Sequence, residues 1–124
     1  MNVVLWIIAA VLAVAFLGAG SMKLLRTKEQ LAASGMGWVE DWQPGTIKLI
    51  GALEVLAAIG LILPAALDIA PIFVPLAALG LVIVMVGAVI VHSRRKESQM
   101  VIANLVLLAL AVVVVWGRFG PYSF

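Results

Sequence analysis

From Pro44 to Pro64 the chain reads PGTIKLIGALEVLAAIGLILP, an apolar helix long enough to enter a bilayer, with a carboxylate, Glu54, well inside it. A helix rising ~1.5 Å per residue needs about 20 mainly apolar residues to cross the hydrocarbon layer. A charged group placed there costs roughly 2.5–3.5 kcal/mol on insertion scales. A fold that accepts this stretch must surround its sides with apolar groups and also find polar company for Glu54.

The rest of the chain meets the first requirement. Of its 124 residues 65% are hydrophobic and 11% charged, against about 45–50% apolar and about 25% charged in soluble domains. Too little polar surface remains to coat a water-soluble globule. The apolar residues fall into four runs, about 3–25, 46–67, 72–91 and 100–116, each read as a membrane span. Short connections between such runs predict an all-α, integral membrane four-helix bundle of antiparallel up-down topology, one domain over residues 1–124. Ala19-Gly20-Ser21 imitates a signal-peptide cleavage site, but no basic segment precedes the run and the run is long, so it is read as a retained span.

The connections differ in character. In the first, Thr27 and Gln30 stand three apart and predict the capped start of a short surface helix. Gly35, Gly37 and Pro44-Gly45 punctuate the remainder. Trp38 and Trp42 share a helical face and suit the headgroup zone. The second connection, between Pro64 and Pro75, holds three prolines and Asp68 and must be tight. The third, His92 to Gln99, is the most charged.

Orientation follows from the cations near the span ends. Lys23, Arg26, Lys28, Lys48, Arg94, Arg95 and Lys96 border the first and third loops, and Arg118 alone borders the other side. This predicts cytoplasmic first and third loops, with both termini outside. The basic clusters are short and their simplest use is topology, so the net charge of +2 is not read as a nucleic-acid footprint. A weak internal echo, Gly18 five before Lys23 and Gly87 five before His92, is compatible with a two-plus-two repeat.

The second requirement, company for Glu54, points to one polar residue per span. Glu54 lies roughly 10 Å past the cytoplasmic start of its span. Asn104 lies a few residues into the fourth span, Lys23 closes the first and His92 closes the third. All four are assigned to the inner half of the bilayer, and the outer half carries none within its spans. Around Glu54 the neighbours one turn away include Gly51, Ala57 and Ala58, and behind Lys23 lie Ala19 and Gly20. Small residues there let another helix come close.

Each of these residues has a plain reading and a sharper one. Lys23 is a snorkelling interfacial lysine or the counter-ion of Glu54. His92 is an interfacial residue or, with an ordinary pKa near neutrality, a proton carrier. Asn104 is an interhelical hydrogen-bond partner or a ligand contact. Glu54 is a structural buried acid or part of a site. Lys48, about 240° round the helix from Glu54, is read as an anchor.

Other chemistry is narrowed by what the chain contains. There is no cysteine, which excludes thiol–disulfide relays, Fe–S clusters and thiolate metal sites within it. One histidine cannot give bis-histidine haem ligation, and no metal site is predicted. No phosphate loop, nucleophile elbow or zinc-protease motif occurs.

Four segments carry a family likeness: Phe16-Leu-Gly-Ala-Gly-Ser-Met-Lys23, Ile50-Gly-Ala-Leu-Glu-Val-Leu56, Gly87-Ala-Val-Ile-Val-His92 and Asn104-Leu-Val-Leu-Leu108. In these and in their order the chain resembles the DoxX-like family of small four-helix membrane proteins. The resemblance implies a four-helix bundle in a prokaryotic cytoplasmic membrane. It also implies a link to quinone-coupled respiratory oxidoreductases and membrane redox complexes, without fixing a reaction. Lys23, Glu54, His92 and Asn104 match the family's polar positions. Two functions stay open. One is a small subunit or accessory of a membrane oxidoreductase, with a redox partner protein, in which the four residues bind a quinone or similar amphipathic ligand. The other is a non-catalytic assembly or stress-tolerance factor whose polar cluster only locks the bundle. A transporter would need a homo-oligomer to provide room.

Overall fold

The computed structural model describes residues 2–33 and 42–123. Gly35, Gly37 and Trp38 of the first connection lie outside them. The described residues form five helices: α1 (Asn2–Leu25), α2 (Lys28–Ala33), α3 (Pro44–Ala66), α4 (Phe73–Arg94) and α5 (Ser98–Phe119). All but α2 are long and apolar enough to cross a membrane.

The helices overrun the expected spans at several ends. α4 continues to Arg94 rather than stopping at Val91, and α5 runs from Ser98 to Phe119 rather than from Met100 to Trp116. Hydropathy ends where the hydrocarbon ends. The backbone ladder continues into the interface, because stopping it would leave carbonyls and amides without partners. Thus His92 and Arg118 are helical residues rather than loop or tail residues.

Local sequence explains α2. Gln30 N–H donates to Thr27 Oγ1 at 3.1 Å, and Thr27 N–H donates to Gln30 Oε1 at 3.0 Å. This reciprocal pair is the capping box that the spacing predicts. Leu31 then plugs into a small satellite core with Ile47, flanked by Met22 and Ala32. That contact seats α2 on the ends of α1 and α3.

α1 packs most extensively on α3, and α4 on α5; α3 meets α4, and α1 meets α5, less extensively. Contacts at the ends fix directions. Gly20, near the end of α1, lies against Gly51, early in α3. Leu5, at the start of α1, lies against Gly117, at the end of α5. With α4 and α5 joined by residues 95–97 only, the end of α4 and the start of α5 belong to the same end of the bundle as Lys23.

Each spanning helix contributes an alanine to the centre: Ala9, Ala58, Ala78 and Ala111. Around them Leu12, Phe16, Leu61, Leu81 and Val114 fill the core. The outside is oilier than the inside. Val3, Leu56, Ile83 and Ile102 are 63–68% exposed, while Lys23, Glu54, His92, Asn104 and Arg118 are buried. A chain in water would invert this arrangement. In lipid it is the expected one, since the apolar exterior is solvated by hydrocarbon and the ionisable groups turn inward.

Candidate functional site

The site begins with a backbone contact. A Cβ on Gly20 would lie 2.6 Å from the Gly51 carbonyl oxygen, and one on Gly51 would lie 2.7 Å from Lys23 Cβ. Only glycine at both positions lets α1 and α3 cross this closely. The crossing brings Lys23 onto Glu54: Lys23 Nζ donates to Glu54 Oε1 at 2.6 Å, with both side chains buried. The charge-assisted bond supplies what the hydrocarbon cannot, a matched counter-charge for a carboxylate about two turns deep.

His92 is buried at the end of α4. Its Nδ1 lies 2.9 Å from Glu97 Oε1. A carboxylate oxygen accepts, so Nδ1–H is the donor in this contact. Arg95 Nε lies 3.3 Å from the same oxygen. Glu97 belongs to the short α4–α5 link and was not foreseen as a partner. The charged run His92–Gln99 is the sequence signal that could have named it.

Asn104 is buried in α5, and its Nδ2 has no hydrogen-bond acceptor. An amide donor without a partner, away from water, is costly. All four residues expected in the inner half are therefore buried, and the end contacts assign them to one end of the bundle. The structure joins Lys23 to Glu54 directly, bonds His92 to Glu97, and leaves Asn104 with a donor to spare.

Two cavities lie elsewhere. One of about 770 Å³ is an apolar groove between α3 and α4, running from Leu53 and Val84 past Gly60 and Ala77 to Leu67 and Phe73. A second, of about 340 Å³, lies at the α4–α5 link. Neither is lined by Lys23, Glu54, His92 or Asn104.

The opposite end holds a polar contact that sequence reasoning missed. Arg118, counted only as an outer flanking cation, is buried; its Nη1 donates to Asn2 Oδ1 at 2.6 Å and to the Tyr122 carbonyl at 2.9 Å. Tyr122 also packs edge-on against Trp116, with ring centroids 5.8 Å apart. Arg118 is a helical residue rather than part of a tail after Trp116, because α5 runs on to Phe119. Lys48 Nζ donates to the Leu24 carbonyl at 2.9 Å, which caps a carbonyl at the end of α1.

Four apolar spans, an oily exterior and inward-facing polar residues define a multi-pass helical membrane protein. Residues 7–114 match the family model of the DoxX-like family, and the chain belongs to that family. No curated protein and no solved structure matches it.

Proposed function

We propose that this protein binds an amphipathic ligand of the quinone class at its polar end, as a small subunit or accessory of a membrane redox assembly. The observation that carries the reading is Asn104, whose buried Nδ2 has no acceptor in an apolar bundle. A ligand carbonyl oxygen would satisfy that donor. Lys23 would supply a second donor, and Glu54 and His92 are the groups able to exchange protons beside it. The apolar groove between α3 and α4 suits a lipophilic tail. When bound, a quinone would supply reversible two-electron, two-proton chemistry; the chain's own residues would orient it and hold protons.

The same reading puts the chain in a prokaryotic cytoplasmic membrane, with the polar end on the cytoplasmic side. Lys23 is spent on Glu54 and adds little to the charge bias, but six exterior or loop cations still oppose the buried Arg118. That excess supports cytoplasmic first and third loops.

A second reading has its own support. Lys23 and Glu54 satisfy each other, and neither cavity reaches them. In that case the cluster only locks the bundle of a non-catalytic assembly or stress-tolerance factor, and its outer surface recruits the partner.

Binding of a short-tailed quinone to the protein in nanodiscs, followed by tryptophan quenching, separates the two. Asn104→Leu should weaken binding by about tenfold, the equivalent of roughly 1.4 kcal/mol, while leaving the melting temperature unchanged or higher. Glu54→Gln should remove the proton release or uptake that accompanies binding. Absence of binding to the wild type, or equal affinity in Asn104→Leu, would overturn the ligand reading.

A further inference from the structure

We infer that the α4–α5 link binds the phosphate of an anionic phospholipid headgroup. The cavity there is lined by Ser93, Lys96, Glu97, Ser98, Val101 and Ile102. Its polar side and its apolar side have separate uses.

The polar side is cationic. Arg94, Arg95 and Lys96 are consecutive, against one acid, Glu97. Glu97 Oε1 is engaged by His92 Nδ1 at 2.9 Å and lies 3.3 Å from Arg95 Nε. Arg95 thus offsets its charge, while His92 supplies a hydrogen bond. Lys96, which lines the cavity together with Ser93 and Ser98, is exposed. Ammonium and hydroxyl donors gathered round a small cavity suit phosphate oxygens.

The apolar side belongs to a span. Val101 and Ile102 stand in the first turns of α5, and Ile102 is 63% exposed. The cavity thus straddles the boundary between charged link and hydrocarbon-facing helix. A free phosphate would use only the polar side. A phospholipid uses both, with its phosphate at Lys96 and its glycerol and acyl chain over Ile102. A choline headgroup would bring its quaternary cation beside Lys96, so an anionic headgroup is favoured. Lys23, Glu54 and Asn104 take no part, and this site stands whether or not the polar cluster binds a ligand.

The full chain in detergent is titrated with dihexanoyl-phosphatidylglycerol, dihexanoyl-phosphatidylcholine and inorganic phosphate, with adducts counted by native mass spectrometry. Phosphatidylglycerol should bind at least about fivefold more tightly than phosphatidylcholine. Lys96→Gln should weaken it by about fivefold, the effect of one basic residue near an anionic surface. The control pair Arg26→Gln/Lys28→Gln, on the other loop, should leave it unchanged. Should Lys96→Gln fail to fold, Ser93→Ala with Ser98→Ala, which removes both lining hydroxyls, gives the same reading. Equal binding of the two lipids, no effect of the link variants, or an equal effect of the control pair would overturn the site. Inorganic phosphate binding as tightly as phosphatidylglycerol would overturn its assignment to lipid.

Discussion

Lys23 Nζ lies 2.6 Å from Glu54 Oε1, and the two residues are 7% and 2% exposed in a bundle whose spanning helices expose many large apolar side chains. The pair is made possible one turn away, where Gly20 and Gly51 let the helices cross in near backbone contact. Neither partner is tolerable alone at that depth, so the two should behave as a unit.

Glu54→Leu, which strands the ammonium, should lower stability by about 3–5 kcal/mol, as broken buried pairs do. The double variant Lys23→Met/Glu54→Leu should recover most of that loss, since apolar replacement of a whole buried pair is often neutral. Melting in detergent by intrinsic fluorescence measures both. A double variant as unstable as the single one would show that the pair is not the source of the loss.

Gly51→Val tests the crossing itself. Its side chain would meet Lys23 Cβ and the Gly20 carbonyl within 3 Å. We expect at least about 1–3 kcal/mol of destabilisation from overpacking, with larger loss where the helices must separate and the ion pair opens. Gly18→Val, at a position with nothing within 4 Å, should be nearly silent. Equal melting points for the two variants would contradict the close approach.

Thr27→Ala removes one arm of the capping box and should weaken α2 by about 1 kcal/mol. The effect should stay local, because α2 is held to the spans mainly through Leu31 and Ile47. Hydrogen exchange should speed up over residues 28–33, with the spans unchanged.

At the other end, Asn2→Ala deprives the buried Arg118 of the acceptor it holds at 2.6 Å. Loss of a hydrogen bond to a charged group is worth about 1.5–3 kcal/mol. The first turn of α1 should fray, read as faster exchange near Trp6, while the Lys23 end stays protected. Protection unchanged at both ends would mean that Arg118 does not tether α1.

Topology has its own measurement. Fusions at the C-terminus should be active with a reporter that works only outside the cytoplasm, and fusions in the link 95–97 with one that works only inside. The reverse pattern would overturn the charge-based orientation and the inner-leaflet assignment of the polar end.

Much of the architecture is local in origin and so readable from the chain. The number of spans follows from hydropathy over about 20 residues. The start of α2 follows from Thr27 and Gln30, three apart, and the inward turn of Lys23, Glu54, His92 and Asn104 follows from the expense of polar groups in lipid. Partnership was less legible. The small residues around Glu54 and Lys23 announced a close approach, and the Lys23–Glu54 bond is its result. The charged run His92–Gln99 held the signal for a local ion pair, but which of its residues would meet His92 depends on how the chain turns between α4 and α5, and the structure picks Glu97.

By itself, then, the sequence determined that this is a membrane protein of four apolar helices, with one polar residue from each turned inward at one end. Only the tertiary structure decided which of those residues touch, that Arg118 is buried and holds Asn2, and that the cavities open beside the α3–α4 seam and the α4–α5 link. The reason is physical. Hydropathy and capping act within a turn or a span, whereas side-chain contacts depend on the rotation and crossing of whole helices, set by approaches such as Gly20 on Gly51 and Leu5 on Gly117.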